Sequence, residues 1–303
     1  MSHLIECKKL TKRFSSNMAL NGLDFTLEKG APIALVGPNG AGKTTLFSIL
    51  CGYIAPTSGS VEMLGTAPGS KGLFGKISAL PQDAQLDPRF AISHQLKFYA
   101  ELQGIPAKQA GKEAERVLDL MGLIDVLDSK PGALSHGMRK RVAIAQSLMG
   151  SPELVLLDEP TAGLDPLNAR NVRRMVSELS SDTTFIISSH NLHELEKLCE
   201  TVLYLEKGVL KQQSSVISKD PEGYITVHLD VAETSEVVIA TFEQIIGVSQ
   251  VRMSQQNEYI IQYDRQQHAN LDQLLLQNLS DKGWEYKQLL KGKSLEEQLF
   301  SEH

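Results

Sequence analysis

The order of apolar and polar residues divides the chain into a longer first part and a shorter tail. Up to about Glu206, short apolar runs alternate with segments whose apolar residues fall on one helix face, which predicts an α/β domain with a parallel sheet. The runs that predict buried strands are residues 33–36, 154–157 and 184–187. Residues 4–14 and 20–27 are instead typical of short antiparallel strands, and residues 92–149 are largely helical in pattern. The first part therefore combines a parallel core with an antiparallel and a helical portion.

The tail follows a different order. A polar stretch, residues 211–215, separates it from the first part, and we interpret that stretch as a linker. Beyond it the pattern predicts strand, helix, strand, strand, helix and strand, the order of a ferredoxin-like domain, with a short last helix from Ser294. We therefore predict two domains, residues 1–213 and residues 214–303.

A candidate phosphate-binding loop lies directly after the first apolar run. Residues 37–44 read Gly-Pro-Asn-Gly-Ala-Gly-Lys-Thr and match the pattern G-x-x-x-x-G-K-[ST]. In that pattern backbone N–H groups face the phosphates, the lysine binds the β- and γ-phosphates, and the last hydroxyl binds Mg²⁺. A strand before the loop and a helix after it would aim a helix N-terminus at the phosphates, which an ordinary glycine-rich turn would not do. The residues predicted to bind a nucleoside triphosphate here are Gly37, Pro38, Asn39, Gly40, Ala41, Gly42, Lys43, Thr44 and Thr45.

Two carboxylates, Asp158 and Glu159, follow the apolar run at residues 154–157. An acid at the tip of a buried strand beside a phosphate-binding loop suits Mg²⁺, held directly or through water. The adjacent Glu159 is placed to polarise an attacking water. Either residue alone could be an ordinary helix-cap acid, but the combination with residues 37–44 favours metal binding and catalysis.

Composition narrows the class of protein. The 303 residues are 42% hydrophobic and 22% charged, which is ordinary for a globular protein. The net charge of −6, with no basic block, gives a nucleic-acid partner no electrostatic support. No apolar run approaches the length that spans a bilayer, and the first residues lack a signal-peptide pattern. Three widely spaced cysteines are expected to be reduced, packed thiols of a cytosolic protein: Cys7, Cys51 and Cys199.

Residues 134–138, Leu-Ser-His-Gly-Met, resemble the signature motif of ATP-binding cassette (ABC) ATPases. The other motifs of that family are matched by Phe14 (the ring that stacks on adenine), Gln82 (Q-loop), residues 163–165 (D-loop, ending in Asp165) and His190 (switch histidine). The resemblance covers essentially all of residues 1–210. It implies an α/β fold, the P-loop nucleotide-binding domain of ABC type, with a parallel-sheet core, an antiparallel β subdomain and a helical subdomain. Here a small α+β ferredoxin-like domain would follow it.

The resemblance also implies a dimer. Two such domains would pair head to tail with two ATP molecules between them, the second domain being another copy or a paralogous ABC ATPase. Each ATP would sit on the Lys43 loop of one domain and be covered by Ser135 and Gly137 of the other. The signature segment would start a helix, whose N–H groups and dipole favour the γ-phosphate. Asp165 is also expected to contribute to nucleotide binding, because it matches a residue of the D-loop.

The family's catalytic roles carry over to three residues. Glu159 would orient or deprotonate water, and His190 would form a hydrogen bond with the γ-phosphate. Gln82 would contact Mg²⁺ and signal the presence of that ion to a partner protein. The expected metal-binding residues are Thr44, Gln82 and Asp158, and the expected cofactors are ATP and Mg²⁺. Since the chain has no spanning segment, an integral membrane permease would be a separate subunit, and this chain would lie peripherally on the cytoplasmic face of the membrane.

The signature segment departs from the family's commonest form, Leu-Ser-Gly-Gly-Gln, at two positions. His136 and Met138 replace a glycine and the glutamine, whereas Ser135 and Gly137 are retained, so we expect an active site. His136 is either a pH sensor, an additional phosphate contact or a partly exposed interface residue.

Several functions are compatible with these motifs. Residues 289–300 resemble the closing Ser-Leu-Glu-Glu-x-Phe segment of ABC exporter ATPases, although Phe300 falls one place later than usual. The resemblance therefore favours an exporter subunit. The alternatives are an importer ATPase whose tail senses amino acids, and a soluble ABC protein that acts on ribosomes or DNA. A GTPase or a small-molecule kinase would leave the segment at Ser135 unexplained.

Overall fold

The computed structural model describes residues 3–189, 192, 195, 198–199, 201–215, 222–230 and 233–293, with the backbone alone for residues 212–215. The chain divides into two compact units, Met1–Val216 and Ile217–His303. Each unit has its own hydrophobic core.

An antiparallel three-stranded sheet opens the first unit. Its strands are β1 (Ile5–Phe14), β2 (Asn17–Leu27) and β4 (Ser58–Met63), in the order β2-β1-β4. Both neighbouring pairs are antiparallel, as predicted for the opening segments. Apolar side chains of this sheet, Leu10 and Leu23 among them, share one buried cluster with Leu35 and Leu46 of the nucleotide-loop region. The small sheet is therefore held by hydrophobic packing against the rest of the unit.

A six-stranded sheet forms the centre of the first unit. Its strands are β3 (Ile33–Val36), β5 (Ile77–Leu80), β6 (Leu154–Asp158), β7 (Thr184–Ser188), β8 (Thr201–Glu206) and β9 (Val209–Ser215). They lie in the order β5-β6-β7-β3-β8-β9, and only the β8–β9 pair is antiparallel. The three predicted buried strands, β3, β6 and β7, are confirmed and are buried at every position. Because these neighbours are parallel, their carboxyl ends meet at one edge of the sheet.

Five helices of eight residues or more lie in the described part of the first unit: α1 (Lys43–Leu50), α2 (Ile92–Leu102), α3 (Ala107–Leu120), α4 (His136–Ser147) and α5 (Pro166–Leu179). The helical pattern predicted for residues 92–149 is confirmed. On α2, Ile92 and Leu96 are fully buried, but Leu102 at the end of the predicted apolar face is 53% exposed. The apolar stripe therefore does not reach the last turn.

The interpretation of residues 211–215 as a linker is wrong. These residues belong to β9, which pairs with β8 across a two-residue turn at Lys207 and Gly208. Both turn residues have left-handed backbone angles (φ 47° and 76°), the geometry that closes a tight hairpin. Polar composition was misleading because an edge strand pairs on one side only and does not need an apolar sequence. β9 ends at Ser215, whereas the predicted domain boundary follows residue 213.

The second unit is an antiparallel sheet with two helices. Its elements are β10 (Glu222–Asp230), α6 (Ser235–Glu243), β11 (Val248–Gln255), β12 (Glu258–Asp264), α7 (Leu271–Lys282) and β13 (Glu285–Lys291). The strand order β11-β12-β10-β13 is that of a ferredoxin-like sheet, and every pair is antiparallel. The core includes Phe242, whose ring meets Tyr259 and Trp284 edge to face. The last helix predicted from Ser294 lies outside the described residues.

The cysteines are unpaired, as expected. Cys7 and Cys199 are buried and Cys51 is half-buried. Burial raises the pKa of each thiol to about 12, so the reactive thiolate is scarce at neutral pH. Within the described ranges, no helix combines the length and the apolar composition that crossing a membrane requires.

Candidate functional site

The phosphate-loop residues join the end of β3 to the start of α1. Gly42 occupies the N-cap position of α1 with φ 108°, and a Cβ added there would lie 2.6 Å from the carbonyl oxygen of Ala19. Only glycine fits that backbone angle and that close approach. The first N–H groups of α1 have no partner within the helix, because its ladder begins with the bond from Leu46 to Gly42 (2.9 Å). The loop therefore presents N–H donors and a helix dipole at the edge of the sheet.

Lys43 is a buried cation at the centre of this loop. Its side chain is folded back, and Nζ donates to the carbonyl oxygens of Gly37 (2.7 Å) and Pro38 (3.2 Å). Burial lowers the pKa of Lys43, while the carboxylates of Glu159 and Asp158 raise it. The ammonium group is thus bonded to the loop, and the charges of the two acids at the end of β6 act on it.

Asp158 lies at the tip of β6 between two hydroxyl groups. Thr44 Oγ1 donates to Asp158 Oδ2 at 3.3 Å, and Ser188 Oγ donates to Asp158 Oδ1. The parallel pairing of β6 with β7 places Ser188 opposite Asp158. Hydroxyl and carboxylate oxygens of this kind are the ligands that Mg²⁺ prefers, so the residues present fit that ion. Sequence reasoning missed Ser188, whose only signal was its position at the carboxyl end of a predicted buried strand.

Glu159 follows with a left-handed backbone angle, φ 49°. Its N–H group lies 3.1 Å from the Ser188 carbonyl oxygen and 3.0 Å from Ser188 Oγ, and donates to both. The side chain is buried. A left-handed conformation costs a non-glycine residue about 1–2 kcal/mol, so neighbouring contacts must hold it.

A cleft of about 480 Å³ brings the predicted residues together. The predicted site residues that line it are Phe14, residues 39–45, Gln82, Asp158 and Glu159. Gly37 and Pro38 lie just behind, where their carbonyl oxygens accept the bonds from Lys43. The cleft is also lined by Lys207, which sequence reasoning missed because it sits in the β8–β9 turn, far along the chain. Phe14 is 46% exposed, with Lys12 Nζ 5.0 Å from its ring centroid, so its ring is accessible to a planar base.

Ser135 and Gly137 mark the start of α4. Ser135 is the N-cap, and its Oγ accepts a bond from Met138 N–H at 3.2 Å, so the predicted helix start is confirmed. A Cβ added at Gly137 would lie 2.8 Å from Nδ2 of Asn168, so a larger residue there would displace the Asn168 side chain. Neither Ser135 nor Gly137 lines the cleft that contains Lys43.

Asp165 caps α5, directly before Pro166. Its carboxylate accepts from Asn168 N–H (2.9 Å) and from Asn168 Nδ2 (2.6 Å), and these bonds lower the pKa of Asp165. Asp165 does not line the Lys43 cleft. His136 Nε2 lies 3.4 Å from the position of a Cβ on Gly163, so the imidazole packs against the turn before α5. His190 lies outside the described residues.

The comparisons with known proteins concern about two thirds of the chain. A family model described as ABC transporter matches residues 20–162. Nod factor export ATP-binding protein I of Burkholderia lata is 35% identical over 208 residues, which are 67% of this chain and 68% of that protein. Linearmycin resistance ATP-binding protein LnrL of Bacillus subtilis is 32% identical over 208 residues, 68% of this chain and 67% of that protein. Among solved structures, cbiO1 from Clostridium perfringens, part of the ABC transporter complex cbiONQ, superposes with a TM-score of 0.64 at 26% identity, covering 71% of this chain and 90% of that one.

Proposed function

Because this chain belongs to the ABC transporter family as an ATP-binding subunit, we propose that it hydrolyses ATP in a head-to-tail pair and drives a separate export permease. The observation that carries the proposal is the single cleft shared by Lys43, Thr44, Asp158 and Glu159. It places a phosphate-binding cation, oxygen ligands for a metal and a carboxylate base within one solvent-accessible space.

Binding of ATP uses the two ends of the cleft. The adenine ring stacks on the exposed ring of Phe14, and the phosphates lie on the N–H groups of residues 39–45. Lys43 exchanges its bonds to Gly37 and Pro38 for bonds to the β- and γ-phosphates. Thr44, Asp158 and Gln82 would hold Mg²⁺, which when bound would stabilise the charge of the phosphates.

Hydrolysis uses the buried acid next to Asp158. Glu159 accepts the proton of a water molecule as its oxygen attacks the γ-phosphorus, and the bond from that phosphorus to the β–γ bridging oxygen breaks, which leaves ADP and phosphate. The two bonds from the Glu159 N–H to Ser188 keep the backbone of the base in place. His190 is proposed, from its match to the switch histidine, to bond the γ-phosphate.

The placement of Ser135, Gly137 and Asp165 supports a pair of chains. These residues do not line the cleft of their own chain, so the proposed contacts with nucleotide come from a second copy or a paralogous ABC ATPase. The start of α4, capped by Ser135, then offers N–H groups to the γ-phosphate held by the other chain. Closure of the pair completes the site, and hydrolysis opens it.

Export is supported by the names of relatives, which refer to export of Nod factor and to linearmycin resistance. The proposed partners are integral membrane permease subunits, with this chain bound at the cytoplasmic face of the membrane. The net charge of −6 gives a nucleic-acid partner no electrostatic support.

The paired site predicts a specific dependence on protein concentration. ATPase activity per mole of chain should rise as the protein is concentrated, because each site needs residues from two chains, and chelation of Mg²⁺ should abolish it. Phosphate release is measured across a dilution series, with size-exclusion chromatography at each concentration as the control for oligomeric state. Full activity from a chain that elutes as a monomer throughout would contradict the shared site.

A further inference from the structure

Lys140 is a buried cation that the proposed reaction does not use. It lies on α4, five residues after the Ser135 cap, and only 8% of it is exposed. Its neighbours in sequence, Arg139 and Arg141, donate to different carbonyl oxygens, at Leu134 (2.7 Å) and Met121 (3.0 Å). The three basic residues therefore do not share one partner, and Lys140 is the one that bonds to Gln82, a residue that lines the nucleotide cleft.

The ammonium group of Lys140 holds the segment that carries Gln82. Its Nζ donates to the main-chain carbonyl oxygen of Gln82 at 3.1 Å, across a sequence separation of 58 residues. Gln82 follows β5 in a stretch without regular secondary structure, shaped internally by a bond from Ala84 N–H to the Pro81 carbonyl oxygen (3.2 Å). The Lys140 bond joins this loop to α4.

Carboxylates face the same ammonium group. Burial lowers the pKa of Lys140, and the nearby Asp158, Glu159 and Asp83 raise it. Asp158 and Glu159 are themselves buried at the bottom of the Lys43 cleft. These carboxylates favour the charged form of Lys140, which is the form that donates to the Gln82 carbonyl oxygen.

Gln82 lines two neighbouring clefts. It lines the Lys43 cleft, and it also lines a second cleft of about 560 Å³ with Lys140, Arg139 and His136 of α4. The Gln82 main chain is thus bonded from the α4 side, while Gln82 also lines the Lys43 cleft, where its amide oxygen is the proposed metal ligand. A shift of its main chain by about 1 Å would disturb such a ligand.

We infer that Lys140 is a positioning residue for hydrolysis: its bond to the Gln82 carbonyl oxygen holds Gln82 at the Mg²⁺ end of the cleft in the same chain. This inference rests on the proposed ATPase function. The cation acts through Gln82 and does not contact nucleotide, so its loss should impair turnover and the use of Mg²⁺ and leave ATP binding by the Lys43 loop intact.

The test compares Lys140→Met and Lys140→Gln, which both remove the charge, with Lys140→Arg, which keeps a charged donor. The neutral variants should lower kcat about 10-fold, the effect of one lost hydrogen bond from a charged group, and should raise the Mg²⁺ concentration for half-maximal activity. The dissociation constant for a fluorescent ATP analogue, measured without Mg²⁺ and so without turnover, should stay near that of the wild type, and Lys140→Arg should restore most of kcat. Lys112→Met, at an exposed position on α3, is the matched control.

A double-mutant cycle with Gln82→Ala separates positioning from a general effect on stability. Lys140→Met should cost little further activity in the Gln82→Ala background, because the residue it positions is already gone. The same loss of kcat in both backgrounds, or wild-type kcat and Mg²⁺ dependence in both neutral variants, would overturn the inference. Active wild type that loses activity on Lys43→Ala would leave the ATPase function standing in either case, whereas inactive wild type would remove both.

Discussion

Replacement of Lys43 by alanine is expected to abolish ATP binding and, with it, hydrolysis. The buried ammonium group is the cation that the loop of residues 37–44 offers to the β- and γ-phosphates, and its present bonds to Gly37 and Pro38 show that it reaches across the loop. Loss of charged hydrogen bonds to two phosphates corresponds to about 3 kcal/mol or more, which is ~100-fold or more in affinity. Titration with a fluorescent ATP analogue measures the change.

The effect should be confined to nucleotide binding. Alanine at position 43 removes a charge that burial disfavours, so the thermal unfolding midpoint should change far less than the affinity. Lys108→Ala, an exposed position on α3, is the matched control and should bind ATP as the wild type does. An affinity of Lys43→Ala close to that of the wild type would contradict the assignment of the phosphate loop.

Replacement of Glu159 by glutamine is expected to slow hydrolysis while leaving ATP bound. Glutamine has the same shape and keeps the backbone bonds to Ser188, but it cannot accept a proton from the attacking water. Loss of a general base typically lowers the rate by ~10²–10⁴-fold. With ATP and Mg²⁺ the variant should accumulate as a closed dimer, because hydrolysis, the step that opens the dimer, is slow.

Phosphate release and light scattering after size exclusion measure the two parts of this prediction. Glu178→Gln, at an exposed position on α5, controls for the loss of a surface carboxylate. Normal turnover by Glu159→Gln would show that Glu159 is not the catalytic carboxylate. Slow turnover without a dimer would contradict the head-to-tail pair.

The parts of the fold that follow from short-range patterns were predictable from sequence. Residues 37–44 constrain their own backbone through glycine, and the apolar runs of β3, β6 and β7 indicate a parallel sheet whose strand ends converge. The hydrogen bond between Thr44 and Asp158 is possible because these strand ends lie at the same edge of the sheet, although the two residues are 114 positions apart. The cap at Asp165 was not predicted, although an aspartate directly before a proline is a common start for a helix.

Contacts that depend on the packing of separate elements were not predictable. Ser188 contacts Asp158 only because β7 pairs with β6. Lys140 contacts Gln82 only because α4 packs near the loop that contains Gln82. No residue pattern marks a lysine whose partner is a main-chain carbonyl oxygen 58 positions away. Strand β9 was missed for a related reason, since its pairing is decided by the turn at Gly208 rather than by apolar residues.

If this ATPase drives a membrane permease, the permease should accompany the protein when it is isolated from membranes of its native host. Glu159→Gln is recovered from detergent-solubilised membranes in the presence of ATP and Mg²⁺, and its partners are identified by mass spectrometry, with Lys43→Ala as the nucleotide-free control. We expect an integral membrane protein of several helices in a two-to-two ratio with this chain. Recovery as a soluble dimer alone, or with ribosomes or DNA, would contradict the transport function while leaving the ATPase chemistry of Lys43 and Glu159 in place.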